Sequence, residues 1–205
     1  HQDRGFDSEQ KRWVAFPYHN LESQLTNVKY RTLKEKRFTQ EKDAEQTFYG
    51  LSMVPDDEGK TLYIVEGEMD KLAMYEAGYQ HCVSVPAGGI SEKSIGKLDR
   101  FEHFVLACDF DDVGKALMEE VSRRLGREKC WRVHWPKGED GAYMKDANDV
   151  LIVQGVDGLI ASVEAAEPWP IHDIHSVTDY ASEVWKLYRG EYDKPLSTGF
   201  RNLDQ

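Results

Sequence analysis

Leu62-Tyr63-Ile64-Val65-Glu66-Gly67-Glu68-Met69-Asp70 is the stretch that decides how this chain folds. Four apolar residues, two of them β-branched, predict a strand buried on both faces, and the glycine and helix formers after them predict a turn into a helix. A buried strand that ends on a carboxylate is unusual. The arrangement returns about forty residues later, where Phe104 to Cys108 leads into Asp109, Phe110, Asp111 and Asp112, and Gly114 opens the next helix. Two strands therefore bring acids to one edge of a sheet, and in open α/β sheets that carboxyl edge is where ligands bind.

Working outward, a helix is expected from about Glu68 to Ala77, stopped by Gly78, followed by a strand at Cys82 to Val85 and the loop Pro86-Ala87-Gly88-Gly89. A short helix around Lys93 to Arg100 leads to the second acid-bearing strand. Val113 to Leu125 reads as a strong helix, Cys130 to Trp135 as a strand, and Asp146 to Val153 and Val156 to Ala165 as helical. Strands alternating with helices predict a mostly parallel sheet covered on both faces. Upstream, Val14, Phe16 and Tyr18 alternate as a strand does, Asn27 to Tyr30 and Arg31 to Phe38 suggest further strands or a hairpin with basic side chains outward, and Phe48 to Val54 is apolar enough to dock this lobe on the rest. The turn cluster Pro55 to Gly59 marks one boundary, and Pro168-Trp169-Pro170 marks another. The expected division is a basic N-terminal subdomain over 1–55, a catalytic α/β domain over 56–168, and a linker over 169–205 that carries an amphipathic helix from Val177 to Tyr188.

With 205 residues and 40% hydrophobic content the chain can bury a real core. No apolar run approaches the ~20 residues of a membrane helix, so no membrane partner is expected. Cys82, Cys108 and Cys130 stand apart from one another at no metal-ligand spacing, as buried thiols of a reducing compartment would. The chain opens on His1 and has no secretory signal pattern, as expected of a segment taken from a longer intracellular protein. The net charge of −11 argues against a polyanion partner until its distribution is considered. Between Lys11 and Lys42 eight basic residues face three acidic ones. A basic lobe opposite an acidic, cation-binding edge can hold a polyanion between them; without the acids it would read as a solvated hairpin.

Glu66, Asp109 and Asp111 at strand ends, with Asp70 one helical turn beyond Glu66, place several carboxylates around one small volume. Like charges so close require a shared cation or proton. Oxygen donors without His or Cys favour Mg2+ or Mn2+ over zinc, and such ions hold phosphates in phosphoryl transfer. Taken alone, Asp70 and Asp112 read as first-turn or capping charges. Lys145-Asp146-Ala147-Asn148 reads as an N-cap beside a surface lysine, and Gly88-Gly89 as a turn whose position after a strand could bring amides near a phosphate.

At these residues the chain resembles a known family. Glu66-Gly67 followed by Asp109-Phe110-Asp111 resembles the TOPRIM signature shared by primases, topoisomerases and some nucleases, on a Rossmann-like parallel sheet. Val65 to Leu72, Asp109 to Gly114, Cys130 to Val133 and Lys145 to Asn148 resemble the primase region of phage-type primase-helicases and their organellar relative Twinkle. Leu196 to Phe200 resembles the entry to that family's helicase domain. The fold so implied is α/β, a TOPRIM sheet flanked by helices and preceded by a small basic α+β subdomain.

The resemblance implies that Glu66 acts as general base or metal ligand, that Asp109 and Asp111 hold magnesium or manganese, and that Asp70 and Asp146 complete the metal site. It implies that Lys29, Arg31 and Lys36 grip triphosphate or template; Gly88 and Gly89 join the nucleotide-binding candidates from their place after the strand. The reaction implied is two-metal, template-directed joining of ribonucleoside triphosphates into a short RNA primer on single-stranded DNA, next to a C-terminal helicase domain. The compartment implied is a phage-infected or bacterial cytoplasm or an organelle matrix. Other readings are a TOPRIM nuclease or topoisomerase fragment, or a catalytically silent module that holds DNA or scaffolds a helicase. The isolated cysteines form no zinc ribbon, and no Walker A loop falls within these residues.

Overall fold

The computed structural model describes residues 13–33, 37–42, 44–57, 59–86, 89–171 and 181–190. Lys36, Gly88 and the stretch Leu196 to Phe200 lie outside them. The chain divides into two compact units, His1–Trp169 and Pro170–Gln205.

The first unit contains two sheets. Strands β1 (Trp13–His19), β2 (Leu25–Thr32) and β3 (Phe38–Gln40) form an antiparallel sheet in the order β1-β2-β3. The alternation in β1 puts Phe16 and Tyr18 inward, where they pack on Tyr49. Residues 51–53 make one 3-10 turn, and Leu51 and Val54 enter the main core with Phe48. Tyr49 also pairs through its backbone with Ser84, so the docking expected of 48–54 combines apolar burial with a bridge onto the second sheet.

That second sheet holds β4 (Thr61–Val65), β5 (Cys82–Ser84), β6 (His103–Ala107), β7 (Cys130–Arg132) and β8 (Glu167–Pro168) in the order β5-β4-β6-β7-β8. All pairs are parallel except β7 with β8. The side-chain period of two sends Leu62, Ile64, Phe104 and Leu106 into one core, and Val65 and Ala107 into the other. Helix α1 (Glu68–Glu76) and helix α4 (Ala147–Glu164) cover the second face; α2 (Glu92–Gly96) and α3 (Asp112–Leu125) lie on the first. Leu62, Ile64 and Val65 are fully buried; each such side chain contributes about 1.5–3 kcal/mol relative to exposure.

The two helical segments expected after Asp146 are both present, and Gly155, with its backbone at φ 72°, makes the kink between them within α4. The strand expected to reach Trp135 ends at Arg132, although the Val133 amide still donates to Leu106 O before Pro136 turns the chain. Lys29 does not point outward as the hairpin reading had it, because its ammonium is drawn to a buried carboxylate on α1. The second unit presents α5 (Ala181–Tyr188), where the indole of Trp185 meets the Tyr188 ring edge to face at 5.8 Å. The three cysteines are free and buried, and among the described residues no helix is long and apolar enough to cross a membrane.

Candidate metal centre

The sheet order places β4, the first strand of the α/β unit, between β5 and β6, so the chain leaves β4 to one side and returns to the other. Such a reversal opens a crevice at the carboxyl ends. Val65 is in register with Ala107, which sets Glu66 and Asp109 at the mouth of that crevice. A cleft of about 750 Å³ lies there, lined among others by Arg31, Glu66, Asp70, Asp109, Lys145 and Asp146.

Each acid is held by a local device. Asp70 lies in the first turn of α1, buried, and its Oδ1 accepts the Asn148 amide at 3.2 Å. A Cβ on Gly67 would stand 2.8 Å from the Asp70 carboxylate, so the glycine after Glu66 leaves room for that side chain. Asp109 follows Cys108, whose carbonyl takes the Trp135 indole N–H at 2.8 Å. Asp146 caps α4 by accepting the Asp149 amide at 2.8 Å. At Gly114 a Cβ would overlap the Asp109 backbone, so α3 can start this close to the acid loop only on glycine.

Asp70, Asp109 and Asp146 each offer an oxygen within 4.8 Å of the others. Asp111 stands aside: it caps α3 through the Gly114 amide at 2.9 Å and is half exposed, and that hydrogen bond holds its carboxyl below the usual range. Burial raises the pKa of Glu66, with Asp109 and Asp111 adding to it, and one oxygen of Glu66 is buried with no hydrogen-bond partner. Burial likewise raises Asp70, reinforced by the charges of Asp146 and Asp109, and raises Asp109.

Lys145, a surface lysine on the reading of its sequence, reaches into this cluster. Its Nζ lies 2.6 Å from Asp109 and 3.5 Å from Asp111, and the Asp109 hydrogen bond keeps the ammonium charged. For Asp109, burial outweighs that pairing. A cluster that draws in an ammonium, leaves a Glu66 oxygen orphaned and offers only oxygen donors fits a hard divalent cation.

The basic side is only partly as expected. Lys29 and Arg31 line the cleft on β2, with Nζ and Cζ 5.0 and 5.7 Å from the Phe38 ring centre. Lys29, however, pairs with the buried Glu68 at 2.7 Å, and the Tyr18 hydroxyl donates to the same oxygen. Burial and the Glu68 charge push the Tyr18 phenol far up, keeping it a donor. Gly89 lines the cleft, but its amide donates to Pro86 O at 2.9 Å and closes a turn. Sequence reasoning missed Tyr18, Glu68 and the part played by Lys145. The only sequence signal for them was an acid one residue from Gly67 and a lysine beside an N-cap.

Comparison with known proteins agrees with this architecture. Residues 60–134 match the Toprim domain family. The chain is 40% identical to the chloroplastic/mitochondrial Twinkle homolog protein of Arabidopsis thaliana, over 93% of this chain and 29% of that protein. It is also 40% identical to the Primase homolog protein of Arabidopsis thaliana, over 77% of this chain and 51% of that protein. Thus the chain spans about half or less of the length of these curated relatives. The primase fragment of the bacteriophage T7 primase-helicase protein superposes with a TM-score of 0.58 at 22% identity, over 76% of this chain and 64% of that one, a likeness of fold. With its acids at the switch point of the sheet, the chain carries a Toprim domain over residues 60–134 and is similar to the Twinkle and primase homologs of Arabidopsis thaliana.

Proposed function

We propose that the chain is the RNA polymerase domain of a primase-helicase and joins ribonucleoside triphosphates into short primers on single-stranded DNA. The observation that carries this reading is the convergence of Asp70, Asp109 and Asp146, beside Glu66, on one cleft at the carboxyl edge of the sheet. Glu66, Asp70, Asp109 and Asp146 would hold Mg2+ or Mn2+, with Asp111 at the rim. When bound, the ion supplies Lewis-acid stabilisation of the charge on the phosphoryl oxygens.

The chain's own residues do the rest. The Glu66 oxygen that has no hydrogen-bond partner accepts the proton of the attacking 3′ hydroxyl. The new O–P bond forms at the α-phosphorus, the bond to the bridging oxygen breaks, and pyrophosphate leaves with that electron pair. Lys145, which pairs with Asp109 at 2.6 Å, would be free to contact phosphate with a cation on the acids, and Arg31, lining the cleft on the β2 side, would contact the triphosphate. Lys29 contributes through Glu68, by holding β2 against α1. The division at 55 and 168, and the entry to a helicase domain near Leu196, belong to the same reading.

Primer synthesis on single-stranded DNA with ribonucleotides and Mg2+ or Mn2+ tests it. Glu66→Gln and Asp109→Asn are each expected to lower product formation by about 10²–10⁴-fold. Equal product from wild type and both variants would remove the assignment. Absence of product from wild type, with DNA binding intact, would favour a silent DNA-holding module.

A further inference from the structure

Beside the acid cluster lies a second constellation that metal chemistry does not use. Phe110 sits between Asp109 and Asp111, and Tyr143 lies two residues before Lys145. Their rings stack with centroids 4.3 Å apart and planes 31° from parallel. Lys115 Nζ lies 4.6 Å from the centre of the Phe110 ring, and Lys137 Nζ lies 4.9 Å from that of Tyr143. The pair is held in place: the Phe110 amide donates to Lys145 O at 2.7 Å, and the loop carrying Tyr143 is closed by Gly138 N to Ala142 O at 2.8 Å and Met144 N to Pro136 O at 2.9 Å.

Burial accounts for Phe110, which packs on the second core, but not for Tyr143. Tyr143 is 48% exposed at the foot of its loop, where it bridges Lys137, so its ring contributes little to the core. Phe110 and Lys115 also line a cavity of about 260 Å³ that Arg132 and His134 share. Among the described residues Lys115 pairs with Asp112, 3.9 Å away and fully exposed, a contact worth little in water. On a chain of net charge −11, this aromatic pair has a lysine over each ring.

We propose that Phe110 and Tyr143 form a stacking platform for a nucleobase of a single strand passing the acid cluster, with Lys115 and Lys137 contacting the flanking phosphates. Every base offers a π-face, so the platform takes single strands without regard to sequence and excludes duplex, whose bases already stack on one another. The proposal rests on the reading that the site acts on nucleic acid. It adds where the strand lies and which side chains bear it. Template DNA and nascent RNA share this chemistry.

The test is fluorescence anisotropy of labelled oligothymidylate, oligouridylate and a duplex, titrated with the chain at low ionic strength. Tyr143→Ala should weaken single-strand binding about tenfold or more with an unchanged melting temperature, and Tyr143→Phe should restore it. Lys137→Ala should weaken binding and reduce the slope of log K against log salt by about 0.7. The probe with the larger loss identifies the strand that stacks. Wild-type affinity in Tyr143→Ala overturns the platform and leaves the primase reading standing. A Tyr143 effect in a chain that makes no primers keeps the platform and removes the catalytic reading. Failure of wild type to bind either single strand removes both.

Discussion

At the residue scale, the acids of the cleft are placed at a cost to the fold. Glu66, Asp70 and Asp109 all have raised pKa values, burial being the first cause in each. The folded chain therefore binds these protons more tightly than the unfolded chain does. Between the ordinary carboxylate range near pH ~4 and the raised native values, the contribution of these three acids to stability falls as pH rises, and above the native values it levels off. Asp70→Asn keeps an acceptor for the Asn148 amide and removes the buried charge. In chelator, its melting temperature should exceed that of wild type by a few degrees at pH 7, and the two should converge toward pH ~4. Thermal melts from acid to neutral pH check this; parallel curves would mean that Asp70 is not strained by its charge. Glu66 was legible as a site residue because a buried strand that ends on an acid breaks the pattern of its own sequence. Lys145 was not, since nothing adjacent to it in the chain shows that Asp109 lies 2.6 Å away.

At the element scale, the Tyr18–Glu68–Lys29 network joins β1 and β2 to the first turn of α1, the same turn that carries Asp70. The Lys29 and Glu68 side chains are 15% and 5% exposed, so the pair is screened little by solvent. Lys29→Met leaves the Glu68 charge buried without its cation and should cost about 3–5 kcal/mol in urea unfolding. The double change Lys29→Met with Glu68→Leu should recover most of that loss, since two matched apolar groups replace a desolvated ion pair. A Lys29→Met chain that keeps its stability but loses nucleotide affinity would instead assign Lys29 to the ligand. Element positions were largely readable from periodicity and from the Gly78 and Gly126 stops. Ends were less so, as β7 shows, where the strand stops at Arg132 although its alternation runs on to Trp135.

At the scale of the whole molecule, the cleft exists because the strand order reverses at β4, and a cation bound there would tie together α1, the loop after β6 and the start of α4. Ligand that binds only the folded state stabilises it by mass action, about 2.7 kcal/mol at a hundredfold excess over Kd. Saturating Mg2+ or Mn2+ should therefore raise the melting temperature by roughly 5–10 °C. Chelator should reverse the rise, and Asp109→Asn should abolish most of it. Equal shifts in wild type and Asp109→Asn would place the ion elsewhere.

By itself the sequence determined that two buried strands end on carboxylates, that a parallel sheet covered by helices follows from the alternation, and that a basic lobe precedes it. These are local facts, set by side-chain period and by glycine and proline stops within a few residues. Only the tertiary structure decided that β4 and β6 are neighbours, that Asp70 meets a helix start 78 residues away, that Asp146 joins the cluster while Asp111 turns to cap α3, and that Lys29 is held by Glu68. Those outcomes depend on strand order and on which helix packs over which strand, and burial then gives each charge the partner nearest to it in space.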